Sequence, residues 1–149
     1  IMSMLNIIKD IKLKNPNRTF DWKHVHSHPN LTMQIVNEYH KNPWDWALLP
    51  QNKNITINDI INNSNKPWNM TAVSNRQDIS ISLIKAYPAI KWDWKVISRH
   101  PNINMSDILD NPLLPWDWKF VSENPNLTND VINLNPDKDW NWAAIYTKL

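Results

Sequence analysis

The sequence predicts an all-α protein, an α-solenoid of 24-residue helix-turn-helix repeats that is closed by a half-repeat cap at each end. Two observations predict this fold. Aromatic pairs recur at a fixed 24-residue spacing, and each interval carries helix-capping residues and prolines at the same places. The predicted single domain, residues 1–149, contains an N-terminal cap helix (1–19), repeats starting at 20, 44, 68, 92 and 116, and a C-terminal cap helix (140–149).

Two columns of the repeat, its first and third positions, contain all ten Trp residues of the chain. The exceptions in these columns are Phe20 and Met70, and the residue between the two aromatics is always Asp or Asn. Because large apolar columns beside aliphatic ones are typical of a packed core, we predict that every Trp is buried between successive repeats. The predicted core Trp are Trp22, Trp44, Trp46, Trp68, Trp92, Trp94, Trp116, Trp118, Trp140 and Trp142.

Each repeat carries signals for two short helices. We expect the first helix to start near the Pro before the first Trp, such as Pro115, because Pro suits the first turn of a helix. It should end before the Pro of the next turn, such as Pro125. The second helix should begin at the thirteenth position, where helix-capping residues recur. These residues are Thr32, Thr56, Ser80, Asn104 and Thr128.

Composition and charge argue against several classes of function. Without Cys or Gly, the chain has no thiolate zinc site, no disulfide and no glycine-rich phosphate loop. The net charge of +2 is small, and the basic residues are scattered among acidic ones. The apolar start is interrupted at Lys9 and Asp10, too early for a signal or membrane segment. We therefore predict an intracellular protein that is not secreted, has no membrane partner, binds no cofactor and is not an enzyme.

The columns W-D-W-K-x-V-S-x-N-P-N-L-T, most complete in residues 116–128, resemble the short tryptophan-repeat proteins encoded by mimivirus-like giant DNA viruses. The similarity extends over residues 15–149, and the Asn- and Ile-rich composition is similar too. The resemblance implies a viral origin, with a location in the host cytoplasm or the virion, and no catalytic residues that could be assigned here. The repeat starting at 68 departs most from the pattern, with Met70 in place of the second Trp.

The sequence contains one candidate metal site. His24 and His28 are four residues apart and could share a helical face to bind zinc. The residues equivalent to His28 in other repeats include Asn52, Asn124 and Lys148, so the column is better interpreted as a polar helix end. We therefore predict no metal.

The leading functional hypothesis is a non-catalytic repeat scaffold that binds another protein. The fourth and eighth positions vary between repeats and lie together on a helical wheel, away from the apolar columns. The candidate partner-binding residues are Lys23, Lys95, Lys119, Arg99, Gln51 and Glu123. Two alternatives stay open. Trp interleaved with Lys at a calculated pI of 8.8 suits single-stranded nucleic acid, and self-association would suit a self-assembling structural virion component.

Overall fold

The computed structural model describes residues 2–149, and this part of the chain is all-helical with no β-strand. The short helices recur at regular spacing, which confirms the all-α prediction. None of the helices formed by residues 2–149 is long and apolar enough to cross a membrane. The α-helices are α1 Met4–Lys14, α2 Met33–Glu38, α3 Ile57–Asn62, α4 Met70–Ser74, α5 Ile81–Ala86, α6 Trp94–Ser98, α7 Met105–Leu109, α8 Trp118–Val121, α9 Asn129–Leu134 and α10 Trp142–Tyr146.

The second helix of each repeat begins directly after the thirteenth position, as the sequence predicts. Four of the five N-cap side chains accept a backbone N–H from the first turn, and Thr128 does not. At Asn104 the bond is reciprocal, because Asp107 accepts the N–H of the cap residue. Capping therefore fixes the start of helices that are too short to be stable alone.

The prediction that the first helix of each repeat starts near the Pro is wrong. It begins at Leu49 in the repeat starting at 44, and elsewhere at the third position of the repeat, at Trp22, Met70, Trp94, Trp118 and Trp142. Pro115, Trp116 and Asp117 lie in an irregular segment, and α8 starts at Trp118. The Asp or Asn between the aromatics is the N-cap, because its short side chain can accept the free N–H groups of the first turn. In the repeats starting at 20 and 44, 3₁₀ helices, Trp22–His24 and Leu49–Gln51, take the place of the α-helix.

The chain divides into two compact units, Ile1–Val73 and Ser74–Leu149. The boundary falls inside the repeat that starts at 68, and the single domain stays a prediction. Each unit has its own aliphatic core, to which the sixth and twelfth positions of the repeat contribute regularly. The buried members of these two columns are Val25, Leu31, Leu49, Ile55 and Val73 in the first unit and Ile79, Ile97, Ile103, Val121 and Ile145 in the second.

Candidate functional site

The first Trp column is buried. Its five Trp are between 5% and 8% exposed, and each indole N–H donates to the carbonyl five residues earlier, at the end of the preceding second helix. In the second unit, for example, Trp116 Nε1 lies 2.9 Å from the Asn111 carbonyl oxygen. This bond satisfies the indole N–H inside the core and ties the start of one repeat to the end of the previous helix.

The second Trp column lies at the surface. Trp22, Trp46, Trp94 and Trp118 are half-buried, and Trp142 is 48% exposed. The expectation that all ten Trp are buried is therefore wrong for Trp142, and it overstates the burial of the other four. These rings begin the first helix, directly after its cap, so one edge meets the next repeat while part of the ring stays in water.

Edge-on ring pairs link the two columns. Trp94 meets Trp116 with ring centroids 5.3 Å apart and planes at 90°, and Trp118 meets Trp140 at 5.2 Å and 79°. Equivalent contacts join Trp22 to Trp44 at 5.1 Å, and Trp46 to Trp68 at 4.8 Å, in the first unit. Such T-shaped contacts suit the charge distribution of aromatic rings. A second-column Trp therefore shields a buried Trp and leaves part of its own ring exposed to water.

An open groove of about 650 Å³ crosses this surface in the second compact unit. Its walls combine indole rings, carboxylates and ammonium groups at the start of α6 and α8. The lining residues are Trp92, Asp93, Trp94, Lys95, Pro115, Trp116, Asp117, Trp118, Lys119 and Asp139. A concave surface with exposed aromatic rings and a few charged groups is typical of a recognition site.

The charged groups of the groove have specific partners. Asp93 accepts the N–H groups of Lys95 and Val96, so its carboxylate is held beside Trp94. Lys119 Nζ lies 3.4 Å from Asp139 Oδ2, and both side chains are exposed. The ammonium of Lys138 lies over the Trp118 ring, 4.9 Å from its centroid, in the range of a cation–π contact. The groove is therefore an aromatic surface whose charges are fixed by local bonds.

All six partner-binding candidates from the sequence are exposed, but they do not form one site. Lys95 and Lys119 line the groove. Arg99 and Glu123 pair across adjacent repeats, with Nη1 and Oε2 3.3 Å apart, so they link repeats to each other. The remaining two candidates, Lys23 and Gln51, belong to the first compact unit.

Sequence reasoning missed the ring surfaces of Trp94 and Trp118, because it assigned both Trp columns to the core. One signal could have separated the columns. The residue between the aromatics, such as Asp93 or Asp117, is a good N-cap, and an N-cap places the following Trp in the first turn of a short helix.

A ladder of polar side chains at the ninth position links successive repeats inside each compact unit. Asn124 is fully buried, and its Nδ2 donates to the carbonyls of Ser98, His100 and Ile103 in the preceding repeat. Asn52 makes the equivalent bonds to His26 and His28, both at 2.9 Å. The column interpreted from the sequence as a polar helix end therefore satisfies the backbone of the neighbouring turn.

The eleventh position extends this ladder. Asn126 Nδ2 donates to the carbonyls of Pro101 and Ile103, and Asn102 Nδ2 donates to those of Gln77 and Ile79. In the repeat that departs most from the pattern, Arg76 and Asp78 occupy the ninth and eleventh positions. They form two parallel bonds of 2.9 and 2.8 Å, which hold the pKa of Asp78 below its ordinary value. An ion pair has here replaced a pair of amides.

The seventh position joins repeats through a second set of bonds. Ser98 Oγ accepts the N–H of Asp117 at 2.9 Å, and Ser122 Oγ accepts the N–H of Asn141 at the same distance. His26 Nε2 and Ser74 Oγ play the same part for the two cap residues Asp45 and Asp93. These bonds hold the extended segment between the two Trp columns, and so they fix the floor of the groove.

The candidate zinc ligands act in local hydrogen bonds. His24 Nδ1 lies 2.7 Å from Asp21 Oδ2, and this hydrogen bond lowers the pKa of Asp21. His28 Nδ1 accepts the N–H of Asn30 at 3.0 Å. Within residues 2–149, no group of three or more His, Asp or Glu side chains is arranged to hold a metal ion.

A pH dependence is expected from His100. Burial lowers its pKa below the ordinary value of 6.5, against a weaker opposing effect of its bond to the Arg76 carbonyl. Its Nδ1 accepts the N–H of Asn102 at 3.1 Å. Protonation of Nδ1 would break this hydrogen bond, because two N–H groups would then face each other without an acceptor. As pH falls below about 6.5, the unfolded chain takes up a proton before the folded one. Stability is therefore full above this pH and declines as pH falls towards the lower, folded pKa.

The variant His100→Asn tests this, because Asn124 and Asn52 show that Asn fits the same column. Urea denaturation at about pH 7.5 and at about pH 5.5 should show a loss for the parent chain that the variant lacks, up to about 1 kcal/mol. An equal loss in both proteins would contradict the assignment of this pH dependence to His100.

Comparison with known proteins returned no match: no protein-family model, no curated protein and no solved structure matches this chain.

Proposed function

We propose that this chain is a non-catalytic α-solenoid scaffold that binds another protein through the groove lined by Trp94 and Trp118. The groove is the main support for this proposal, because two large rings lie half-buried in an open groove of about 650 Å³. Partly exposed aromatic anchors are enriched at protein interfaces, where a partner completes their burial. The repeat columns support the further proposal that the chain belongs with the tryptophan-repeat proteins of giant viruses.

The charges of the groove favour a protein partner over single-stranded nucleic acid. Three carboxylates, those of Asp93, Asp117 and Asp139, line it beside the two ammonium groups of Lys95 and Lys119. A groove that follows a phosphate backbone needs an excess of positive charge. Stacking on Trp alone would then have to overcome repulsion between phosphates and carboxylates.

Site-specific crosslinking tests the proposal. A photoreactive phenylalanine derivative is placed at Lys95 in the groove, and, as a matched control, at Lys85, an exposed residue in the last turn of α5. Each protein is irradiated in an extract of the cells that produce it. We expect a defined protein partner to crosslink from position 95 and not from position 85. The additional change Trp94→Ala should remove that product.

Other crosslinked products would support a different function. Crosslinked nucleic acid, lost steeply between about 50 mM salt and physiological salt, would favour the nucleic-acid alternative. Crosslinks between two copies of this chain would favour a self-assembling component. The same products from positions 85 and 95 would contradict binding through the groove.

A further inference from the structure

We infer that the segment bound in the groove is basic, and that one of its Lys or Arg side chains lies over the exposed part of the Trp94 ring. This inference rests on the proposed function and specifies the chemistry of the partner. Three observations support it. Lysines of this chain lie over two equivalent Trp rings, a Leu occupies the corresponding lysine position beside Trp94, and carboxylates lie near the Trp94 ring.

Two Trp of the second column already hold an ammonium group of this chain. Lys138 Nζ lies 4.9 Å from the centroid of the Trp118 ring. Lys12 Nζ, in α1, lies 5.9 Å from the centroid of Trp22, and also within 6 Å of the rings of Phe20 and Tyr39. An ammonium at this distance is attracted by the negative face of the ring. Rings in the second Trp column can therefore hold a cation at their exposed faces, as Trp22 and Trp118 do.

Within residues 2–149, no Lys or Arg lies over the Trp94 ring. The residue one repeat before Lys138 is Leu114, and the backbone at the two positions is equivalent, because each carbonyl accepts the N–H of the residue two later at 2.8 Å. Across residues 2–149, the rings that lie under a Lys or Arg are Phe20, Trp22, Tyr39, Trp118 and Phe120. A cation over Trp94 must therefore come from another molecule.

The charges near Trp94 favour a cation. Lys95 Nζ lies over the Phe120 ring at 5.8 Å, and Lys119 is paired with Asp139, so both groove lysines have contacts of their own. Asp93 precedes Trp94 directly, and Asp117 lies in the same groove. Both carboxylates accept backbone N–H groups at the starts of α6 and α8. An ammonium over Trp94 would therefore gain attraction from the ring and from two carboxylates.

The variant Leu114→Lys tests the inference, because it places an ammonium of the chain itself where Lys138 stands beside Trp118. Leu113→Lys is the matched control, since it adds the same charge one residue away, at a side chain that is 98% exposed. The probe is a short capped peptide of alternating Ala and Lys, with a peptide of alternating Ala and norleucine as its uncharged counterpart. Binding is followed by NMR in the full chain through two signals, the indole N–H of Trp94 and the backbone N–H of Lys95 in the same groove, which is also present in a variant without Trp94.

We expect the Lys peptide to shift the Trp94 signal and the norleucine peptide to leave it unchanged. Leu114→Lys should weaken binding of the Lys peptide by roughly fivefold or more, and Leu113→Lys should change it by less than about twofold. Trp94→Leu, which keeps an apolar side chain without a ring, should weaken it as much as Leu114→Lys. Lys66 occupies the position equivalent to Lys138 in the first unit, and within residues 2–149 it does not lie over a ring. Trp94→Leu therefore tests the role of the ring even if the lysine of Leu114→Lys does not reach it.

Equal binding of the two peptides would overturn the inference, and so would an unchanged affinity in Trp94→Leu. The crosslinking experiment separates this failure from that of the proposed function. If a protein still crosslinks from position 95 while the Lys peptide does not bind, the groove binds a protein that is not basic at this point. If the Lys peptide binds and no protein crosslinks, the cation site stands and the scaffold proposal fails.

Discussion

Replacing Trp116 by Ala is expected to lower the free energy of unfolding by about 3–5 kcal/mol. Trp116 is 8% exposed, its indole N–H donates to the Asn111 carbonyl at 2.9 Å, and the Trp94 ring packs edge-on against it at 5.3 Å. The change leaves a cavity, removes one of the two hydrogen bonds that the Asn111 carbonyl accepts, and removes the support of a groove wall. Urea denaturation followed by circular dichroism measures the loss.

Trp142→Ala is the matched control, because it removes the same side chain from the other Trp column at a position that is 48% exposed. Its ring contacts Tyr146 at a centroid distance of 6.1 Å. We expect a loss below about 1 kcal/mol. Similar losses in the two variants would mean that the two Trp columns do not differ in their contribution to the core.

The change Asn124→Asp is expected to destabilise the chain by at least about 3 kcal/mol. The two side chains have nearly the same shape, but the carboxylate cannot donate. Three carbonyl oxygens, those of Ser98, His100 and Ile103, would lose the Asn124 donor and face a buried negative charge. Burial should raise the pKa of the new carboxylate in the folded chain, so protonation removes its charge and the stability should recover as pH falls.

Asn129→Asp makes the same chemical change at an exposed residue in the first turn of α9. A negative charge there is compatible with the helix dipole, so the stability should change by less than about 0.5 kcal/mol. Urea denaturation near neutral pH compares the two variants. If Asn124→Asp proves as mild as its control, the buried amide does not hold the repeats together.

The periodic and local features of the fold could be predicted from the sequence. The 24-residue spacing located the repeats, and the capping residues located the starts of the second helices at Thr32, Thr56, Ser80, Asn104 and Thr128. These features depend on residues a few positions apart, and the physics of a helix end is local. The start of the first helix was misplaced because Pro115 and Asp117 both suit a helix start, and only the structure shows that the side-chain cap determines it.

The candidate site was harder to predict, because it depends on contacts between repeats. Periodicity could not separate Trp92 from Trp94, since both columns recur with the same spacing and the same residue type. Their difference arises from an orientation, in which Trp92 donates its indole N–H into the core and Trp94 lies at the surface. The role of Asn124 was hidden for the same reason, because its acceptors lie between 21 and 26 residues away.

Hydrogen exchange of the ten indole N–H groups, resolved by NMR, tests most directly the claim that the first Trp column forms the core and the second an open surface. We expect slow exchange for the first column, whose indole N–H groups are buried and donate to backbone carbonyls. Trp94, Trp118 and Trp142, which are half-buried or exposed, should exchange much faster. Equal protection of both columns would contradict the account, because it would place the rings of the groove in the core.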